Sequence, residues 1–418
     1  MSQFTTFQLQ VLEEILYSPL KTTVRKLAKN LDVEEGEILP IIKQFAKIGL
    51  LELFGEEVVV DKEMRKYYES QILKFDEEFT PGMEFLQSLL RKVPIHVLPT
   101  WYSIPRTSNN IFDSIVEKYL LTPQIFQRYL AELNLGDPIL TGMAQRVFEA
   151  PDFKVFGSEL MEKYQISREQ FEINTLYLEF NFICCLGYEK VGNEWKEVIT
   201  PFQEWREYLR FLRDTEVKSL PENAKIEQTH FSGFAFIEEM SALLSQARRH
   251  PISCEELEET PALAKLRLLK LGEIVDKRLC ALDAANDWLD MNLENRALFV
   301  HRHPLNRLVS DRVSSHLATD RNIREVEKSL LRAYQKGWIL FDDFIKGVTV
   351  PLGEQSVVML KKNGKSWKYI LPSYSDEEKE LIRATLFQWL PEVGFVITGK
   401  YKGQDCFKLT PFGESFLG

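Results

Sequence analysis

Residues that could carry chemistry are few and scattered along this chain. The one histidine cluster is His301-Arg302-His303-Pro304. Alternate histidines can ligate a metal, but no carboxylate or thiol lies nearby at a spacing that would complete the set. An ordinary loop or a basic surface patch is the reading they favour. The five cysteines, Cys184, Cys185, Cys254, Cys280 and Cys406, form no Cys-x-x-Cys pair. They read as small buried side chains in a reducing compartment. Gly364-Lys365-Ser366 has the ending of a phosphate-binding loop, but Met359 stands where its first glycine belongs. Asn363-Gly364 between two β-rich runs predicts a hairpin bend instead. The carboxylates Glu34, Glu35 and Glu37, and Glu255, Glu256, Glu258 and Glu259, fall at expected helix starts, where negative charge meets the macrodipole. The expectation is a chain with no catalytic constellation, no cofactor and no metal.

Cations are better organised. Periodicity predicts a helix from Arg321 to Lys336, capped by Thr319 or Asp320. At about 100° per residue, Ile323, Val326, Leu330, Ala333 and Tyr334 share one side, and Arg321, Arg324, Lys328 and Arg332 share the other. Arg302 and Arg307 lie upstream, with Arg296 and Arg312. A hairpin bearing Lys361, Lys362, Lys365 and Lys368, interleaved with Trp367 and Tyr369, is a second basic surface. Phosphate contact requires such faces. The candidate nucleic-acid-binding residues are therefore Arg321, Arg324, Lys328, Arg332, Arg302, Arg307, Lys361, Lys362 and Lys365. The same side chains also suit a solvated face, contact with an acidic protein, or protection of a sheet edge.

The elements that would position them recur. In residues 1–75, Phe7, Val11, Leu12, Ile15 and Leu16 repeat at helical spacing. Thr23 opens a second helix, and Asp32, with Glu35 at the capping-box position, opens a third that contains Pro40 and ends at Gly49. Leu50–Phe54 and Val58–Val60 read as strands around Gly55. Helix, helix, helix, hairpin is the order of a winged helix. Residues 151–222 repeat it, with a cap at Ser167 and a hairpin around Gly192-Asn193-Glu194. Residues 230–290 read as a third copy. Residues 291–352 read as a fourth, whose third helix is the basic one and whose hairpin is Trp338–Phe341 with Asp342-Asp343. Residues 353–418 add a hairpin, a helix and a wing with its tip at Lys402-Gly403-Gln404. Residues 76–150 read as a helical connector, where Thr122-Pro123 starts a helix. Residues 215–230, with Pro221, read as the most flexible linker. The fold class expected is mainly α with short β-hairpins, as tandem winged-helix modules joined by helical connectors.

At 418 residues, 44% hydrophobic and 27% charged, the chain has an ordinary globular balance and length for several cores. Its net charge of −10 gives no global attraction to nucleic acid, so any such binding must come from a local basic face. No apolar run reaches the ~20 residues of a membrane helix, and Met1–Thr5 lacks the start of a signal peptide. A cytoplasmic location without membrane contact is the expectation.

Two stretches resemble a known family. Leu279-Cys280-Ala281-Leu282-Asp283-Ala284-Ala285-Asn286-Asp287-Trp288-Leu289, through Arg296, resembles the strand, tryptophan-containing helix and "E-x-R" segment of the winged-helix region that precedes the motor of XPB-type DNA helicases. Cys406-Phe407-Lys408-Leu409-Thr410-Pro411-Phe412-Gly413 resembles that region's wing strand and "L-T-P-x-G" closing helix. The resemblance spans roughly 233–418. It implies tandem winged helices with a DNA-associated accessory role, and the motor is absent. Asp283 stands where the family usually has threonine.

Two functions follow as expectations. One is a non-enzymatic, DNA-associated accessory protein using the basic C-terminal face. The alternative is a scaffold whose winged helices dock partner proteins, since the third helices of the first two copies begin with Glu34, Glu35 and Glu37, and with Glu169 and Glu172. Lys21, Arg25, Lys26 and Lys29 leave a backbone contact open in the first copy.

Overall fold

Short polar side chains set the helix starts. Thr5, Thr23, Asp61, Thr122, Ser167 and Ser375 each accept a backbone N–H from within the first turn of the helix that follows. The computed structural model describes residues 4–76, 79–105, 110–133, 137–192, 194–229, 232–253, 260–303, 313–364 and 366–417. It is mainly helical with small antiparallel sheets. The chain divides into two units, residues 1–209 with 359–369, and residues 210–358 with 370–418.

In the first unit the order is α1 (Thr6–Tyr17), β1 (Lys21–Thr23), α2 (Val24–Asn30), α3 (Glu35–Lys47), β2 (Leu51–Phe54), β3 (Glu57–Val60) and α4 (Lys62–Ile72). Then come α5 (Met83–Leu90), α6 (Leu98–Trp101), α7 (Ile111–Ile115, continued by wider turns over Val116–Leu120) and α8 (Pro123–Glu132). The pattern restarts with α9 (Pro138–Glu149), β4 (Val155–Phe156), α10 (Gly157–Tyr164), α11 (Arg168–Phe180), β5 (Cys184–Val191) and β6 (Glu194–Pro201), followed by α12 (Gln203–Asp214), which starts in this unit and ends in the second. Both sheets have one order, β1-β3-β2 and β4-β6-β5. A short strand ahead of the helix pair returns to the second hairpin strand, with Thr22 opposite Val58 and Val155 opposite Ile199.

In the second unit, β7 (Glu227–Gln228) precedes α13 (Ala235–Arg249), β8 (Ile252–Ser253), α14 (Pro261–Leu268), β9 (Gly272–Val275) and β10 (Arg278–Ala281). Next are α15 (Ala284–Asp290), α16 (Leu293–Arg302), α17 (Asp320–Lys328), β11 (Ile339–Leu340) and α18 (Phe341–Ile345). The hairpin β12 (Met359–Asn363) and β13 (Ser366–Ile370) interrupts here, its strands belonging to the first unit up to Tyr369. The chain then closes with α19 (Asp376–Ala384, extended by Thr385–Trp389 and by α20, Leu390–Glu392), β14 (Val396–Tyr401), β15 (Gln404–Leu409) and α21 (Pro411–Leu417). The orders β8-β10-β9 and β11-β15-β14-β7 repeat the first unit's pattern.

Each first-unit repeat has its own core, around Leu12, Ile15, Ile42 and Phe45, and around Met143, Val147, Leu160 and Phe171. In the second unit a continuous core runs from Ile237, Met240 and Leu266 to Val326, Leu381, Trp389 and Phe407. The residues that carried the family resemblance serve packing here. Arg296 stacks over Trp288 at 5.4 Å and donates to Trp288 O at 3.2 Å and to Leu289 O, closing the end of α15. Thr410 Oγ1 accepts Gly413 N–H at 2.9 Å and donates to Gly394 O at 2.6 Å. A Cβ at Gly413 would stand 2.2 Å from Phe395 O, so the closing helix can seat there only with glycine.

Several expectations are corrected. The third helix of the first repeat is capped by Glu34 and Glu37, not by Asp32, whose φ of 56° puts it in the turn before. The linker expected over 215–230 is anchored across its described residues, 215–229: Val217 is buried, Leu220 N–H donates to Trp338 O at 2.7 Å, and Glu227–Gln228 pair with Lys400–Gly399. Trp338–Asp343 is not a hairpin. Ile339–Leu340 pair with Phe407–Cys406 of β15, and Phe341–Ile345 is helical. The helix expected from Arg321 to Lys336 is α-helical only to Lys328 and then tightens to a 3₁₀ turn over Ser329–Ala333. It precedes the short strand, so it is the first helix of its repeat. The third is the one starting at Asp376, and residues 291–352 and 353–418 do not separate into two modules, since β11 pairs with β15.

Candidate functional site

The expected cationic stripe is largely occupied within the second unit. Arg321 is exposed in the first turn of α17. Arg324 lies between Glu327, at 2.6 Å, and the ring of His301. Lys328 pairs with Glu325 at 2.6 Å on the surface. Arg332 points inward, donating to Phe344 O and Thr215 O while its guanidinium stacks 5.4 Å over the Phe344 ring. Arg302 is exposed at the end of α16. Lys361 and Lys362 are exposed on β12, and Lys362 stands 5.8 Å over the Trp367 ring. Arg307, Arg312 and Lys365 lie outside the described residues, as do Cys254 and Glu255–Glu259. The structure thus brings Arg324 to His301, holds the half-buried Arg332 on two backbone carbonyls, and assigns Lys361 and Lys362 to the other unit.

His301 does not lie in the loop or surface patch expected of it but on α16, facing inward. It is 3% exposed, and among the described residues no group of three or more His, Cys, Asp or Glu could hold a metal ion. Its Nε2 lies 3.4 Å from Glu327 Oε1, which also accepts the Trp389 Nε1–H at 2.8 Å. Burial pushes the Glu327 carboxyl up, but hydrogen bonds from His301, Trp389 and Arg324 outweigh it and hold the group below its ordinary range. A satisfied network of this kind fixes how α16, α17 and the Trp389 turn pack.

A second buried cluster lies in the first unit. Lys74 Nζ and Glu179 Oε1 are 2.7 Å apart with side chains 2% and 3% exposed, and the Cys185 thiol donates to the same oxygen at 2.9 Å. Burial pushes the Cys185 thiol well up, and Glu179 adds to that shift. The thiol serves here as a hydrogen-bond donor to the Glu179 carboxylate. Cys184 and Cys406 are also buried free thiols, and Cys280 is half-buried.

Among the third helices, α11 carries two exposed apolar side chains. Phe171, Asn174, Thr175, Leu178 and Glu179 face inward. The outward face carries Glu169, Gln170 and Glu172, together with Ile173 and Leu176, which are 53% and 48% exposed. Arg168 at its start is held by both oxygens of Glu197 and by Glu172 at 2.8 Å, so its charge is spent locally. The third helices α3 and α19 open on Glu35 and Glu37, and on Asp376, Glu377 and Glu378. Sequence reasoning noticed the acids of α11 but missed Ile173 and Leu176. Their signal was an apolar i,i+3 pair lying off the inward stripe. Lys21, Arg25, Lys26 and Lys29 around α2 are exposed and form no ion pair among the described residues. Among the described residues no helix is long and apolar enough to cross a membrane.

Comparison with known protein-family models finds no match to this chain, and comparison with curated proteins finds none.

Proposed function

We propose that the chain is a non-enzymatic interaction scaffold of tandem winged-helix modules whose third helices dock partner proteins. The observation that carries this reading is the outward face of α11, where Ile173 and Leu176 sit in water beside Glu169 and Glu172. Exposed apolar pairs rimmed by charge mark protein contact, and carboxylates there repel a phosphate backbone. The winged-helix assignment is supported by the recurring return of a short strand onto the second hairpin strand. The resemblance to a helicase-associated region fits tandem modules of this kind, without a motor.

The test is affinity capture from a nuclease-treated extract with the wild-type chain and with the Ile173→Asp/Leu176→Asp double variant. Partners retained by the wild type and lost by the variant are expected. Identical capture by both chains would remove the reading.

DNA association is the second reading, favoured by the exposed cations Lys21, Arg25, Lys26 and Lys29, which form no ion pair among the described residues. It has lost the support of the α17 stripe, because Arg324 and Arg332 are held by internal partners. Fluorescence anisotropy with duplex and single-stranded DNA over a salt series separates the two readings. Binding that weakens steeply with salt and disappears when those four cations become Glu supports DNA contact. Salt-insensitive or absent binding removes it.

A further inference from the structure

In the first unit, α1, the Leu73–Phe75 turn after α4 and the start of β6 border a cavity of about 290 Å³. Its lining includes three aromatic rings, Tyr17, Phe75 and Trp195, and two carboxylates, Glu13 and Asp76. Among the described residues that line it there is no Lys, Arg or His. Phe75 is buried and backed by Tyr188, whose ring stacks on it at 3.8 Å. Trp195 is half-buried and stands at 81° to Phe75 with ring centroids 5.5 Å apart, so the two make a corner. Tyr17, at the end of α1, is 64% exposed. Glu13 lies one turn earlier on the same helix; it is exposed and forms no ion pair among the described residues.

We propose that this cavity binds a methylated ammonium group, carried by a small molecule or by a modified lysine of a partner protein. The face of an aromatic ring carries the negative end of its quadrupole, and tryptophan attracts cations most strongly. Two carboxylates without a basic neighbour in the lining set the same sign, so an anion is repelled and a neutral ligand gains nothing from them. Hydration then selects among cations. A plain ammonium is strongly hydrated, and ring carbons cannot replace its water. Methyl groups remove those N–H donors and pack on apolar surface while the charge stays. The volume falls just under the ~300–1,000 Å³ of sites for drug-sized ligands, which suits one head group and its stem. The cavity shares no residue with the exposed face of α11, so this inference stands apart from the docking role proposed above.

The experiment is calorimetric titration of the full chain with choline and with its neutral isostere 3,3-dimethylbutanol. Alongside it, fluorescence polarisation compares one peptide carrying trimethyllysine, lysine or arginine at the same position. Choline should bind, and the isostere at least about fivefold more weakly. A trimethyllysine peptide that binds more tightly than choline assigns the group to a partner's lysine; choline binding alone assigns it to a small molecule. Tyr17→Ala and Glu13→Lys, both at exposed positions, should weaken the ligand at least about fivefold, whereas Tyr17→Phe should bind like wild type. The Ile173→Asp/Leu176→Asp chain should also bind like wild type; loss there would move the group to α11 and overturn the cavity assignment. No binding of either methylated probe would overturn it. So would equal binding of the isostere, of lysine or of arginine, or binding indifferent to both Tyr17→Ala and Glu13→Lys.

Discussion

Replacing Glu204 with Gln isolates one carboxyl whose folded environment opposes its charge. Glu204, in the first turn of α12, is 6% exposed. Its Oε1 accepts the Met83 N–H at 2.9 Å, at the start of α5, where the cap residue Gly82 has no side chain to do so. Its Oε2 is buried and has no hydrogen-bond partner among the described residues. Burial pushes the group from 4.5 to about 7, against the hydrogen bond from Met83. Because the folded value lies above the unfolded one, the folded state holds the proton more tightly between them. Stability is therefore greatest below about pH 4.5, falls as pH rises towards 7, and levels off above. At about 1.4 kcal/mol per pH unit the loss is about 3 kcal/mol. A glutamine keeps an oxygen for Met83 and cannot ionise, so this slope should vanish from the variant. Urea denaturation of both chains between pH 4.5 and 8.5, followed by tryptophan fluorescence, reads the difference. Other buried acids, such as Glu392, contribute equally to both chains and cancel. The variant should gain on wild type steadily up to about pH 7 and hold its lead beyond. Curves that run parallel across the range would refute the reasoning, whatever their offset.

The buried pair Lys74 and Glu179 should show strong coupling. Lys74→Met alone should cost about 3–5 kcal/mol by leaving a buried carboxylate unpaired, and Lys74→Met/Glu179→Leu should recover most of it; equal losses in single and double variants by urea unfolding would contradict this. Arg332 and Arg321 should part company in thermal melts. Arg332→Ala removes a donor from the Phe344 and Thr215 carbonyls, together with the stacking on Phe344, and should cost about 1–3 kcal/mol, while Arg321→Ala should stay within about 0.5 kcal/mol; matching shifts would mean that Arg332 is not anchored inward. Gly413→Ala should destabilise the second unit by about 1–3 kcal/mol through contact with Phe395 O, and an unchanged melting temperature would show that the closing helix can shift aside.

The first repeat was legible because its local signals agree. Thr23 caps, Gly49 takes a φ of 78°, Gly55 turns the hairpin, and each helix has one apolar stripe. The anchoring of residues 215–229 left no such trace. It runs through backbone bonds such as Leu220 N–H to Trp338 O, which any residue but proline could make at Leu220. The face of α11 was half legible: a helix with apolar residues at 171, 173, 176 and 178 does not declare which of them the sheet will cover.

The basic helix was misplaced for a topological reason. A repeat is recognised by spacing, and the hairpin Met359–Ile370 falls between the second and third helices of the last one. With that insertion unseen, the helix before Ile339 looked like the end of a repeat, and its arginines like a recognition face. Once Ile339–Leu340 pair with Phe407–Cys406, that helix becomes the first of its repeat. A first helix packs against the others, and Arg324 and Arg332 do so, through Glu327 and His301 and through Phe344 O and Thr215 O. The helix in the third position, from Asp376, opens on three acids. The charge of Arg324 and Arg332 therefore belongs to packing, while Arg321 and Lys328 stay at the surface.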